Sequence, residues 1–498
     1  MPFDRGSITF TIFELPEAVP ENIVDLFAAR KAGTLDSVSE EPQIGWVTGH
    51  HLLDTNIDGA SCQLGGCYYF TLRQAVRKIP GSLLNALCRR EEQAYMRANN
   101  LEYVSGKLKR QSLTSNSEQF YYMPKDKSFD ATGEEDINAQ PNMMLLSITT
   151  RLGLNITGPE FLGAKTSAKI ESDFAGFGTS NTVLRIRQAY AKMDWGKHKV
   201  LVGQAWHPIM GDMMPDVFSL ETGAPFTPFS RSPQVRYDYA KKNWTLTATA
   251  LYQYQYTSYG PDGASFNYAR NAAVPELYLQ AMYKNGNFMM GAGIDILTLK
   301  PRQSYTLTSP LNPTDVATGK DTNGNPTYTY KCNENLFTSF SPTVFASYKK
   351  GNWGFKSRIT YAQNAAHMSM ISGYAVTKIK DNKEQEYSSI NSIGGWANIT
   401  YKEQLKKGYL TWCWFVGYTK NLGCEDDVVG PIYMRGEKNM DSMWRDAISI
   451  LYTHNAMSIG LEWNTTTVAY GKADSRYKMS DTHDVTNDRI CLMLKYTF

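Results

Sequence analysis

From Met143 to Phe498 the chain repeats one pattern, in which segments of about ten residues alternate apolar and polar positions and are separated by Gly, Asn, Asp and Lys clusters. Between 244 and 256 the even positions are Trp244, Leu246, Ala248, Ala250, Tyr252, Tyr254 and Tyr256, while the odd ones are mostly Thr and Gln. Leu410, Trp412, Trp414, Val416 and Tyr418 share one face in the same way, as do Met144, Leu146, Ile148, Leu152, Leu154 and Ile156. A period of two puts successive side chains on opposite faces of a strand, so each segment predicts a strand with one apolar side. The turns at 284–287 and 349–352 carry Asn-Gly or Lys-Gly dipeptides suited to tight hairpins, whereas 207–233, 259–273, 302–332 and 424–442 are long connections. Alternating short and long connections predict a mainly β fold, an antiparallel transmembrane β-barrel of about 16 strands.

The first 110 residues read differently. Residues 7–14 and 68–72 alternate as short strands, and Pro20 and Pro80 each open a helix-like stretch. This predicts a small α+β segment, 1–110, ahead of a barrel domain, 111–498.

Composition suits a barrel. The 31 Tyr residues and the 12% aromatic content fit pleated surfaces and interfacial girdles. No run of about 18 apolar residues is present, which argues against a transmembrane helix. The seven cysteines, at 62, 67, 88, 332, 413, 424 and 491, form no CxxC pair and predict free thiols rather than a zinc site. A soluble sandwich or propeller would also alternate, but the aromatic strand faces and the lack of a blade repeat speak against it.

Residues opposite the apolar faces are candidates for the channel lining. Between 181 and 195, Leu184, Ile186 and Tyr190 fall on one side and Arg185 and Arg187 on the other; by the same reasoning Arg151, Lys165, Lys169, Glu171, Arg236 and Asp238 point inward. Such a cation-rich lumen would concentrate anions. The segment 207–231, with Met213, Pro215, Phe226 and Arg231, is either a constriction loop folded into the channel or an external loop packed on itself. His207, a lone histidine beside a proline, reads as structural, and the sequence predicts no metal, no cofactor and no catalytic arrangement.

Residues 110–498 resemble the porin-like outer-membrane proteins of Bacteroidetes, related to DcaP-type trimeric porins. The resemblance lies in Gly158-Pro159-Glu160-Phe161-Leu162-Gly163-Ala164-Lys165-Thr166-Ser167, in Leu201-Val202-Gly203-Gln204-Ala205-Trp206-His207-Pro208 and in the Pro/Phe-rich stretch 222–237. It implies passage of small hydrophilic solutes without catalysis, a homotrimer in outer-membrane lipid, and a closing strand, Ile490, Leu492, Leu494, Tyr496 and Phe498, similar to the signal read by the barrel assembly machinery.

Residues 1–110 are similar to the amino-terminal part of the RdgC family of recombination-associated nucleoid proteins, through Ile44-Gly45-Trp46-Val47, Arg77-Lys78-Ile79-Pro80 and Leu84-Asn85-Ala86-Leu87. That resemblance implies an alternative function, DNA binding, with Arg89, Arg90, Arg97, Lys107 and Lys109 as phosphate contacts. Interleaved Glu91, Glu92 and Glu102 fit a solvated face equally well. Residues 111–120 resemble the second half of the porin family's first strand, and residues 1–35 lack the pattern of an export signal. The chain therefore reads as a fusion whose parts point to different compartments, the outer membrane and the nucleoid.

Overall fold

Alternation becomes a continuous ladder in the computed structural model. From residue 123 onward it describes every position except 140–141, 147–149, 176–182, 212, 219–221, 334–335 and 498; before that it describes the strands Thr9–Thr11, Ser61–Leu64, Tyr68–Thr71, Ala98–Val104 and Ser112–Leu113. The helix-like stretches after Pro20 and Pro80 and all five candidate DNA contacts, Arg89, Arg90, Arg97, Lys107 and Lys109, lie outside the described residues.

The wall strands are β1 (Ala98–Val104), β2 (Asn142–Leu146), β3 (Arg151–Thr157), β4 (Lys165–Asp173), β5 (Arg185–Asp194), β6 (His198–Trp206) and β7 (Arg231–Lys241). They continue with β8 (Trp244–Leu251), β9 (Glu276–Asn285), β10 (Phe288–Leu299), β11 (Phe337–Lys350) and β12 (Trp353–Gln363). The last five are β13 (Gln385–Gln404), β14 (Tyr409–Gly423), β15 (Met440–His454), β16 (Met457–Ala473) and β17 (Met479–Tyr496). From β3 to β17 each strand pairs antiparallel with the next. The last strand then pairs with β1, from Arg489 opposite Val104 to Lys495 opposite Ala98, and β1 pairs with β2. β2 and β3 are four residues apart in the sequence, and the other edge of β3 is taken by Thr9–Thr11, with Thr9 opposite Asn155, so the ladder returns to its own beginning through these short segments. Counting β2 and β3 as one wall position gives 16 among the described residues, in line with the alternation. A closed ladder leaves no open edge in the membrane, where each unpaired backbone group would be costly.

The position beside the last strand belongs to Ala98–Val104 and not to 111–120, where a first strand was expected. Ser112–Leu113 pairs instead with Met123–Pro124 in a small separate ladder. Closure selects whichever segment can match the register of both β17 and β2, and this selection acts over nearly 400 residues, beyond the reach of local pattern.

Short connections gather at one end, for example 242–243, 286–287, 351–352 and 455–456, and long ones at the other, at 207–230, 252–275, 300–336, 364–384 and 424–439. Gly286 and Gly351 open their two-residue turns at φ +56° and +57°, a region that glycine enters without a Cβ clash. The outer surface of the wall is apolar. Trp412, Trp414, Trp444, Ile448, Ile459, Leu461 and Trp463 are all exposed, with Trp414 at 47% and Trp463 at 52%. Near the short-turn end aromatic side chains pair across strands, Trp244 with Tyr283 at 5.2 Å and Trp353 with Tyr401 at 4.7 Å between ring centroids. An exposed apolar band with aromatic residues at its margin is the surface a bilayer requires of a barrel, whereas in water it would be an aggregation surface. No helix among the described residues is long and apolar enough to cross a membrane.

In the terminal strand Ile490, Leu492 and Leu494 are exposed and alternate with the buried Arg489 and Cys491. Tyr496 ends the strand, half-buried; Phe498 lies outside the described residues. Cys332, Cys413, Cys424 and Cys491 are free thiols, all buried.

Candidate channel lumen and its inserted loops

Inside the ladder the polar alternate faces meet. On β3 and β4, Arg151 stands opposite Asp173, with Glu171 and Lys169 following along the same face, since Ile170 is exposed on the outside. Across to β5, Arg185 donates to both Asp173 oxygens, Nε to Oδ1 at 2.9 Å and NH2 to Oδ2 at 2.8 Å. Arg187 donates to Glu171 Oε1 and to Asp173 Oδ2, each at 2.6 Å, and Lys169 lies 2.9 Å from Glu171. Arg236 donates to Asp238 at 2.8 Å on β7. All eight lining candidates therefore share the inner side: Arg185 and Arg187 are buried in ion pairs, Lys169, Glu171, Arg236 and Asp238 are partly buried, and Arg151 and Lys165 are exposed to the lumen.

One facing differs from the alternation. Tyr190 was expected beside Ile186, but the register shifts between Ile186 and Gln188, and Tyr190 sits opposite Lys169 on the inner side. A bulge at Arg187 adds one residue to β5, which turns every later side chain to the other face and lets both arginines reach the same carboxylates.

The long connection after β6 packs against the inner face of the wall. Residues 207–230 leave β6 and cross to the strands β12–β16. The Asp216 N–H donates to Asn398 Oδ1 and the Phe218 N–H to Glu462 Oε2, both at 2.8 Å, and Lys356 Nζ donates to Asp216 Oδ2 at 2.8 Å. Arg358 and Arg445 donate to the carbonyls of Met210 and Ala224, each at 3.4 Å. Asn398, Glu462, Arg358 and Arg445 are buried and alternate with exposed Ile399, Leu461, Ile359 and Trp444, so these partners belong to the inner face. Met213 and Phe226 are fully buried in one cluster with Phe345, Trp396 and Phe415, and Pro215 is buried as well. Phe226 rests against Phe415 at 6.1 Å and under the Arg445 guanidinium at 5.3 Å.

Glycines on the wall make room for this loop. A Cβ on Gly417 would lie 2.5 Å from the Phe226 ring, and one on Gly460 would lie 2.5 Å from Phe218. Arg231, at the loop's exit, is buried, donates to the Tyr256 hydroxyl at 2.9 Å and lies 4.8 Å from the Trp206 ring centre.

A second inserted segment, 364–372, escaped the sequence reading. Ala365, Ala366, His367, Met368 and Met370 are buried, and Met368 accepts the Phe229 N–H at 2.7 Å, so the two loops hold each other inside the barrel. Inward Arg358, Arg445 and Glu462 were missed too; their inward facing is a signal visible only once the faces are assigned. The long connection 300–336 supports itself, with the Tyr330 hydroxyl donating to Asp315 at 2.6 Å and holding that carboxyl below its usual range.

No protein-family model matches this sequence, and no curated protein does. Among solved structures, a loop-deletion mutant of OmpT, an outer membrane protein of Vibrio cholerae, is 12% identical over 80% of this chain and 96% of its own, with a TM-score of 0.44. An anion-selective porin from Comamonas acidovorans is 9% identical over 81% of this chain and 97% of its own, at a TM-score of 0.42. OprB of Pseudomonas putida is 9% identical over 84% and 97%, also at 0.42. Values of this size carry nothing about function; the barrel rests on its own ladder and its apolar outer band.

Proposed function

We propose that the barrel is an outer-membrane channel for small hydrophilic solutes, narrowed by the loop 207–230, and not a catalyst. The observation that supports this most is the inversion of sidedness: an apolar exposed outer band surrounds an interior that carries charged residues and an inserted loop. A soluble protein would bury the former and expose the latter.

Anions are the preferred solutes in this reading. Arg151, Lys165, Lys169, Arg185, Arg187 and Arg236 set six cations against the three carboxylates Glu171, Asp173 and Asp238 on one stretch of inner wall. Ion pairing cancels half of that charge, so the preference is weak, and it rests on the exposed Arg151 and Lys165. Lipid, the barrel assembly machinery acting on the strand that ends Leu494-Lys495-Tyr496, and a homotrimeric assembly complete the proposal. Reconstitution of the full chain in planar bilayers under a KCl gradient tests it: discrete conductance steps with a reversal potential on the anion side are expected. A folded, inserted barrel that yields no steps would overturn the channel reading, and a cation-side potential would overturn the preference.

A further inference from the structure

We propose that His207, His367, Glu276 and Asp295 form a binding site for one divalent transition-metal ion of the zinc class, which staples both inserted loops to the barrel wall. The four residues come from four places. His207 begins the loop 207–230, His367 lies in the segment 364–372, Glu276 opens β9, and Asp295 stands on β10 beside Tyr278 in the ladder. All four are buried, at 3% exposure or less.

Their donor atoms converge. His207 Nε2 lies 2.8 Å from Glu276 Oε1 and 3.5 Å from Asp295 Oδ1, and His367 Nε2 lies 3.1 Å from Glu276 Oε1 and 4.0 Å from Asp295 Oδ2. His207, Glu276 and Asp295 each offer a ligand atom within 4.8 Å of the other two, with His367 beside them as the fourth donor; four donors at about 2.0–2.2 Å from one tetrahedral ion would stand about 3.4 Å apart. Two neutral imidazoles and two carboxylates suit a borderline-soft divalent cation, and the carboxylates cancel its charge inside a dry site.

Unsatisfied atoms add an independent observation. Glu276 Oε2 and His367 Nδ1 are buried without a hydrogen-bond partner, and Asp295 Oδ1 has only the distant His207 Nε2 at 3.5 Å, which is costly for buried polar atoms. An ion held by Glu276 Oε2 and Asp295 Oδ1 would satisfy both of those oxygens directly. His207 is already braced: its Nδ1 accepts the Ile209 N–H at 3.2 Å, and its ring meets Tyr278 edge-on at 5.6 Å. Metal binding through Nε2 puts the ring proton on Nδ1 and so breaks the bond from the Ile209 N–H, a cost that the coordinate bond has to exceed.

The site stands apart from solute passage, and so does its test. The full chain, folded into detergent and confirmed by heat-modifiable migration, is stripped with a chelator, dialysed against limiting Zn²⁺, and its metal content measured; a parallel sample receives Co²⁺ for visible spectroscopy. Close to one equivalent of Zn²⁺ is expected, with the intense visible bands of four-coordinate Co²⁺. Glu276→Gln and His367→Gln should each lower the retained metal at least fivefold, while His198→Gln and His483→Gln leave it unchanged. Retention of no metal by the folded chain, retention that Glu276→Gln and His367→Gln do not change, or only the weak bands of six-coordinate Co²⁺ would overturn the proposal and leave the cluster a network of ion pairs. If either cluster variant fails to fold, the Co²⁺ spectrum of the unaltered chain decides.

Discussion

The two inner walls of this barrel share a period-two sequence pattern and have opposite fates. Along β3–β7 the inward residues include Lys, Arg, Glu and Asp paired with one another at 2.6–2.9 Å, with Arg151 and Lys165 left exposed. Along β11–β16 the inward residues include Phe345, Trp396, Phe415, Met443 and Ala447, and a loop from the other wall covers them. Alternation reports which residues share a face and is silent on whether that inner face will be wet or covered. What separates the two is a tertiary partner: inward glycines at 417 and 460 admit Phe226 and Phe218, and inward arginines at 358 and 445 collect loop carbonyls that would otherwise be stranded.

Breaking the covered wall should have the largest effect. Excising residues 212–226 and closing the gap with a short Gly/Ser linker removes the plug, and single-channel conductance is expected to rise severalfold, with larger neutral sugars then swelling proteoliposomes. An unchanged conductance would mean that the loop does not narrow the path.

Reversing the wet wall comes next. Arg151→Glu with Lys165→Glu changes the lumen charge by four units, so the reversal potential under a salt gradient should swing from the anion to the cation side, most strongly at low ionic strength where screening is weak. Insensitivity to the double substitution would place the selectivity elsewhere.

Gly417→Ala sharpens the comparison from within. Its Cβ would meet the Phe226 ring at 2.5 Å, and relief of such overpacking typically costs about 1–3 kcal/mol. Because the loop rather than the wall strand gives way to the added methyl, the expected outcome is noisier, more open channels with little change in the temperature of barrel unfolding. A lowered unfolding temperature with quiet channels would instead make Gly417 a feature of the wall alone. Smallest of all is Gly351→Ala, at φ +57° in the two-residue turn that joins β11 to β12: a loss of about 1 kcal/mol in a denaturant titration, with conductance unaltered.

Much of this architecture was legible in residue order. The apolar faces at 244–256 and 410–418, the glycine turns and the strand count all follow from pleat geometry, which is local. Three things were not. Closure by Ala98–Val104 depends on a register match with strands far along the chain; the bulge at Arg187 depends on two arginines reaching Asp173 and Glu171; and the segment 364–372, with Ala365, Ala366, Met368, Met370 and Ile371, is apolar but has no period that says where it packs. His207 illustrates the same limit. Alone it carried no signal, and its partners Glu276, Asp295 and His367 are 69, 88 and 160 positions away.

The central claim is that the exposed aromatic side chains face lipid while those on the alternate positions are packed under an inserted loop. Tryptophan quenching by brominated-chain lipids tests it on two residues of neighbouring strands, Trp414 outside and Trp396 inside. Replacing Trp414 with Phe should remove quenchable emission, and replacing Trp396 with Phe should remove emission that the lipid leaves untouched. Equal quenching of both, or of neither, in a chain that has inserted into the bilayer would contradict the account.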